Sequence, residues 1–221
     1  MSPGAGAAAP QLTRVARLLA VDVAELMALP GLADVPAGDV RLLHDQMSEA
    51  IHRSGRAGFA SIAVLAAKLP GPVAGRLAEK FLPPVLAARV CEHLDPERAR
   101  DLVSRVSLPY LTGVALSLDP VRSRGVVEAI PAERVGRVAA ELFAAEEYAA
   151  MAEFVSVVDA EALAAAVRAG STQDLVEIVP LLEWNDRLEQ ALAGLPQEQV
   201  AALAAELDNP QLIALAGRLD S

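Results

Sequence analysis

The chain has 221 residues, 53% of them hydrophobic but only 3% aromatic, and a formal net charge of −10. This acidic balance and the scarcity of stacking aromatic side chains argue against nucleic-acid binding. The longest apolar stretches are interrupted by charges or are short, so none approaches the roughly 20 apolar residues of a membrane span. We therefore expect a soluble, cytoplasmic protein without membrane insertion.

The first third of the chain predicts a disordered tail followed by an N-terminal helical cap. Residues 1–10 are mostly small and we expect them to be flexible, whereas residues 11–68 show helical spacing of apolar residues. We expect Ser54 and Gly55 to separate the last two helices of this cap. The predicted helices are Gln11–Ala20, Val23–Leu29, Asp39–Arg53 and Arg56–Lys68.

From residue 69 onward, a proline-marked helix start recurs about every 11 to 14 residues, a spacing typical of stacked short helices. Asp95-Pro96 and Asp119-Pro120 are the best-matched pair. An aspartate at the N-cap accepts the free N–H groups of the first turn, and proline at the first helical position loses no hydrogen bond. The predicted starts are Leu69-Pro70, Pro84, Asp95-Pro96, Leu108-Pro109, Asp119-Pro120, Ile130-Pro131, Leu195-Pro196 and Asn209-Pro210.

The C-terminal part continues the helical pattern with weaker start signals. We expect a longer helix over Phe143–Val157, then Asp159–Ala169 and Thr172–Leu182. The predicted fold is all-α: a right-handed superhelix, or solenoid, of short helices over residues 69–221, forming one continuous domain with the cap. A break into two domains near Ala144–Glu147 is the alternative.

The run Leu69–Leu142 resembles the intracellular N-terminal domain of MgtE-type magnesium transporters, chiefly through Leu94–Leu102 and Leu118–Pro120. Those domains are right-handed superhelices of short helices with Leu-Asp/Pro-Pro-Glu joints, and the flagellar switch protein FliG uses a related helical stack. The resemblance implies this fold for about Leu69–Leu219. It implies no ligand residue, because the CBS pair and the transmembrane part of the transporters do not follow the repeats here.

Charge is distributed unevenly along the chain. Residues 138–221 hold 15 acidic residues against 3 arginines, whereas eight of the 17 arginines fall within residues 89–137. Arginine is enriched where protein partners bind, so we predict a docking surface for an acidic protein partner, or for head-to-tail self-association. The alternative is a solvated face whose arginines pair with local acids. The predicted contact residues are Arg98, Arg105, Arg122 and Arg124.

One cluster of side chains has the spacing of metal ligands. His44, Glu49 and His52 fall on one predicted helix, and Glu49 and His52 stand three residues apart, as in Glu-x-x-His metal sites. One helix alone lacks the ligands of a closed site, so a polar, solvated helix face is the simpler interpretation. Loose Mg²⁺ binding at Glu146, Glu147 and Glu153 is a further alternative.

No motif of the sequence predicts catalysis. A P-loop and a Gly-x-Ser-x-Gly elbow are absent, and Cys91 is the single cysteine. We interpret Cys91 as a small buried hydrophobe, with a reactive thiol as the alternative. The predicted function is a non-catalytic helical scaffold or adaptor without a cofactor. The alternative is a soluble sensor of a small ligand or of a divalent cation such as Mg²⁺.

Overall fold

The computed structural model describes residues 35–219 and the isolated residues 15, 24 and 28, except for the side chains of residues 37, 44, 45 and 48–57. The chain divides into two compact units, Met1–Leu65 and Ala66–Ser221. The tail predicted for residues 1–10 lies outside the described residues, as do the helices predicted for Gln11–Ala20 and Val23–Leu29, apart from those isolated positions.

The described chain is helical and contains no strand over residues 35–219, which confirms the all-α class. A 3₁₀ helix, Val179–Leu181, follows α10. The α-helices are α1 (Ala37–Lys68), α2 (Gly71–Phe81), α3 (Pro84–Cys91), α4 (Pro96–Val103), α5 (Leu108–Ala115), α6 (Arg124–Glu128), α7 (Ala132–Ala144), α8 (Tyr148–Phe154), α9 (Ala160–Ala169), α10 (Thr172–Ile178), α11 (Asp186–Ala193), α12 (Gln197–Leu207) and α13 (Pro210–Leu219).

The predicted break at Ser54 and Gly55 is wrong, because α1 runs through both residues without interruption. An isolated glycine inside a helix costs only about 1 kcal/mol relative to alanine. No proline stands between Ala37 and Lys68 to remove a backbone donor. The helix therefore continues to Lys68, just before Leu69-Pro70.

The single helix predicted over Phe143–Val157 is also wrong. Helix α7 ends at Ala144, and Glu146 adopts a left-handed backbone with φ of 56°. The Glu146 N–H donates to the Phe143 carbonyl and the Glu147 N–H donates to the Leu142 carbonyl, both at 2.9 Å. This pair of bonds is a Schellman motif, which satisfies carbonyls at a helix end.

The proline-marked starts are confirmed at seven of the eight predicted positions, where a helix begins at the proline or within one residue of it. Asp119-Pro120 is the exception, since residues 120–123 form a turn before α6. There Asp119 Oδ1 accepts hydrogen bonds from the N–H groups of Val121 and Arg122, both at 3.0 Å. The aspartate therefore caps a single turn instead of a helix.

Polar side chains cap several helix N-termini. The Glu97 N–H donates to Asp95 Oδ1 at 2.9 Å at the start of α4, and the Ala162 N–H donates to Asp159 Oδ1 at 2.8 Å at the start of α9. Ser171 forms a capping box at the start of α10. Such caps typically stabilise a helix by about 1 kcal/mol each.

Within residues 66–221, helices pack mainly on the helix two positions along the chain. Contacts of this kind join α2 to α4, α3 to α5, α4 to α6, α5 to α7, α7 to α9, α8 to α10, α9 to α11, α10 to α12 and α11 to α13. The largest core cluster extends from Val127 to Leu215, and two smaller clusters lie around Ala88 and Val106. Each short helix thus buries its apolar face on near neighbours.

Helices α7 and α9, which share the most extensive helix–helix contact in the described part of the chain, meet at a glycine. A Cβ atom on Gly136 would lie 3.1 Å from the Ala165 carbonyl oxygen and 3.4 Å from the Ala165 Cβ atom. No room exists there for a larger side chain unless the helices separate.

We expect Gly136→Leu to lower the free energy of unfolding by about 1–3 kcal/mol, because it overpacks the contact between α7 and α9. Gly217→Leu on α13 is the matched control, since a Cβ atom there meets no other atom within 4 Å. Urea unfolding followed by circular dichroism measures both. Equal stability of the two variants would contradict the close approach of α7 and α9.

Candidate functional site

Arg98, one of the predicted contact residues, lies on α4 and donates hydrogen bonds to carbonyl groups at the C-terminal end of α1. Its Nε and Nη2 atoms donate to the Ala66 carbonyl at 3.1 and 2.6 Å, and Nη2 also reaches the Leu69 carbonyl. Nη1 pairs with Asp101 at 3.0 Å, and the side chain is 17% exposed. Arg98 therefore caps the C-terminal end of α1, where carbonyl groups lack partners within the helix.

Two further arginines make the same kind of contact. Arg134 Nη2 donates to the carbonyls of Val103 and Val106, at the end of α4. Arg100 Nε donates to the Ala129 carbonyl at 2.9 Å, at the end of α6. A helix C-terminus carries partial negative charge, so a guanidinium group is favourable there. Three of the eight arginines within residues 89–137 thus connect one helix to the end of another.

The other three predicted contact residues pair with acids of their own segment and stay more exposed. Arg105 lies 2.6 Å from Asp101, and its side chain is 40% exposed. Arg122 lies 3.1 Å from Asp119. Arg124 lies 3.4 Å from Glu128 and is 51% exposed. Exposed pairs of this kind contribute roughly 0–1 kcal/mol, so these guanidinium groups can exchange partners, and their role in docking stays a prediction.

The contacts with Arg105 and Arg98 also lower the pKa of the carboxylate that pairs with both of them, Asp101. The Arg105 hydrogen bond holds the pKa of Asp101 below its usual value, and the charge of Arg98 acts in the same direction. A Cβ atom on Gly71 would lie 2.2 Å from Asp101 Oδ2 and 2.5 Å from Arg105 Nε. The pair therefore rests directly on the backbone of α2.

The predicted metal ligands His44, Glu49 and His52 fall on α1, but their side chains lie outside those the structure describes. Among the described side chains, no three His, Cys, Asp or Glu residues come together as metal ligands. Glu146, Glu147 and Glu153 are among these described residues and form no such group.

Cys91 packs beside the small core cluster that contains Ala88 and Val114. Burial raises the pKa of its thiol to about 12, and the nearby charge of Glu92 adds to this effect. Little thiolate therefore exists at neutral pH, whereas a nucleophilic cysteine needs a lowered pKa. This environment agrees with the interpretation of Cys91 as a small hydrophobe.

Helix α2 exposes an apolar face that the sequence analysis missed. Gly71, Ala74 and Gly75 are buried. Val73, Leu77 and Phe81 are 45%, 42% and 68% exposed and stand four residues apart, on one face of the helix. We call Val73, Leu77 and Phe81 the α2 stripe. The same i, i+4, i+8 spacing is readable in the sequence, with the small residues on the opposite face.

Positive charges border the α2 stripe. Arg76 and Lys80 are exposed, and Lys80 Nζ lies 5.3 Å from the centre of the Phe81 ring. In the described part of the chain, no carboxylate pairs with either residue. The acid of this helix, Glu79, instead accepts a hydrogen bond from the Ser107 N–H. The open face of α2 is therefore apolar with a basic edge.

Residues of the largest core cluster line a partly open cavity of about 110 Å³. Helices α5 to α11 and their connections contribute its lining, and every lining residue is aliphatic, aromatic or methionine. The lining therefore offers no acid, base or nucleophile for chemistry. The sequence contained no sign of this cavity, because it is a gap between helices and not a property of one segment.

Comparisons with protein-family models, with characterised proteins and with solved structures found no significant match. None of the helices in the described ranges combines the length and the hydropathy required to cross a bilayer.

Replacing Arg98 with leucine should lower the free energy of unfolding by about 1–3 kcal/mol, because carbonyls at the end of α1 lose their donor. Arg124→Leu is the matched control and should change stability by less than about 0.5 kcal/mol, since it removes only an exposed ion pair. Thermal and urea unfolding compare the two. The capping role of Arg98 is wrong if both variants unfold alike.

Acid should destabilise the fold partly through Glu79. Hydrogen bonds from Ser107 hold the pKa of Glu79 below its usual value. A glutamate whose pKa is lower in the folded state than in the unfolded state stabilises the fold at pH values above its unfolded-state pKa of about 4.3. This contribution is lost as the pH falls through the folded-state pKa. Glu79→Gln should therefore show a smaller loss of melting temperature between pH 7 and pH 3.

Glu128→Gln is the control for this experiment, because it removes the same charge from a carboxylate whose ion pair lies within its own helix. Melting curves at several pH values compare the two variants with the unmodified chain. An identical pH dependence in Glu79→Gln and Glu128→Gln would contradict the proposed contribution of the bond between Glu79 and Ser107.

Proposed function

We propose that this chain is a non-catalytic α-helical repeat protein that acts as a protein-interaction scaffold or adaptor. In this proposal, residues 66–221 wind into a right-handed superhelix of short helices, as the resemblance to the MgtE-type N-terminal domain implies. The α2 stripe is the proposed docking face. A cytoplasmic location belongs to the same proposal.

The packing order supports the superhelical part of the proposal. Helices that pack two positions apart form two alternating rows, which is the arrangement of repeat proteins built from short helices. Two hydrogen bonds from side chains also join residues at similar separations in the sequence. Tyr110 donates to the Leu82 carbonyl and Gln199 to the Gly170 carbonyl, 28 and 29 residues away. Such regular spacing is expected when each unit contacts its neighbours.

The chemistry of α2 supports a specific kind of partner. A stripe at i, i+4 and i+8 matches the apolar face of an amphipathic helix. Phe81, the most exposed member, has the size and rigidity of an interface anchor. Arg76 and Lys80 border this stripe without acidic partners among the described residues, so the partner helix should carry acidic residues along the facing edge.

Three of the four predicted contact arginines remain candidate docking residues in this proposal. Arg105, Arg122 and Arg124 stay candidates for a second contact with an acidic partner, because their side chains are at least about a third exposed. Arg98 contributes through the fold, since its guanidinium group holds the end of α1. A variant of Arg98 would therefore test stability and not docking.

A small-ligand sensor is the second candidate function. The apolar cavity of about 110 Å³ favours a hydrophobic ligand over a cation. Melting curves with EDTA, Mg²⁺ and Zn²⁺ test the cation form of this alternative. A scaffold should be nearly indifferent to millimolar Mg²⁺, whereas a cation sensor should be stabilised by it.

The scaffold proposal is tested by a tagged pull-down from the native lysate, quantified by mass spectrometry. We expect a stoichiometric partner whose recovery falls at least tenfold with Leu77→Ser plus Phe81→Ser, because the apolar contact is lost. Arg76→Glu plus Lys80→Glu should also reduce recovery, and high salt should weaken the unmodified complex.

Ile213→Ser is the matched control, because Ile213 is 50% exposed and lies on α13. Its recovery should equal that of the unmodified chain, and melting curves should show all variants folded. If recovery is lost only with Arg105→Glu plus Arg122→Glu, the partner binds to the arginines and not to the α2 stripe. No partner, or a partner kept by every variant, would contradict the scaffold proposal.

A further inference from the structure

The cavity inside residues 66–221 has the properties of a hydrocarbon site. Its volume is about 110 Å³, and all of its lining residues are apolar. The cavity is partly open, and water inside it finds no hydrogen-bond partners on the lining side chains. The atoms that line it lack contacts on one side. An apolar occupant would therefore gain dispersion contacts, and the water that it displaces makes no hydrogen bonds to the lining side chains.

We propose that this cavity binds a compact, uncharged hydrocarbon group of about the size of benzene. An engineered apolar cavity of about 150 Å³ in another protein binds benzene or xenon, and this cavity is only moderately smaller. The site does not involve the α2 stripe, so the inference is independent of partner binding.

The lining explains why the ligand should be neutral. Phe143 and Phe154 supply aromatic surface, and Met151 supplies a flexible thioether side chain that adapts to different shapes. No lining residue can donate or accept a strong hydrogen bond or balance a charge. Moving an ion into such a space is strongly unfavourable, so a charged analogue of the same size should be excluded.

Two alanines on neighbouring helices allow the cavity to be filled by substitution. Ala139 of α7 is 4% exposed and lines the cavity, and Ala166 of α9 lines it as well. Ala140 stands next to Ala139 on the same helix but is exposed. Leucine at position 139 should occupy the space that a ligand needs, whereas leucine at position 140 should not.

The test is a titration of the full chain with benzene, followed by the methyl resonances of the cavity-lining residues in NMR spectra and by the melting temperature. Benzoate serves as the charged counterpart. We expect saturable shifts with benzene and none with benzoate. Binding to Ala139→Leu should be at least tenfold weaker than to Ala140→Leu, which should bind like the unmodified chain.

Ala166→Leu is a second filling variant, in case Ala139→Leu does not fold. A competition experiment with octanoate distinguishes two sources of the hydrocarbon group. Displacement of benzene by octanoate identifies the end of an acyl chain, and no displacement identifies a free small hydrocarbon. The proposal is overturned if the unmodified chain shows no saturable benzene binding. It is also overturned if a folded filling variant binds benzene as strongly as Ala140→Leu.

Discussion

The structure depends on one constraint: its helices after α1 are too short to be stable alone. Within the described part of residues 66–221 the α-helices contain 5 to 13 residues, whereas isolated helices below about 12–15 residues are marginal in water. Each helix must bury its apolar face on a neighbour and satisfy the polar groups at its ends. Asp95 and Asp159 accept hydrogen bonds from N–H groups at the N-termini of their own helices. Arg98 and Arg134 donate to carbonyl groups at the C-termini of helices that are distant in the chain.

This constraint decides which residues are free for function. Arginines that close helix ends are committed to the fold, so a high local density of arginine does not by itself indicate a docking surface. Two features that packing leaves incomplete in the described residues are the exposed α2 stripe, with Phe81 at its end, and the apolar cavity beside Phe143. Both are apolar, which is why the proposals concern binding and not catalysis.

Much of the helical framework could be predicted from the sequence, because its starts are local. Pro96 and Pro210 begin helices, each directly after a capping residue, Asp95 or Asn209, and such a start depends on only a few neighbouring residues. The end of α7 could not be predicted, because a left-handed Glu146 replaces the usual glycine. The partners of Arg98 and the cavity could not be predicted either, because both depend on helices that are distant in the sequence. The α2 stripe could have been found from the spacing of Val73, Leu77 and Phe81.

The most direct test of the account is hydrogen exchange measured by mass spectrometry on the full chain carrying Leu212→Ala. Leu212 is fully buried in α13, which packs on α11 and α12. If each helix is held by near neighbours, amide protection should fall in α11 to α13 and stay unchanged in α2 to α5. An equal loss of protection in all helices, α2 to α5 included, would contradict the account and indicate one uniformly cooperative core.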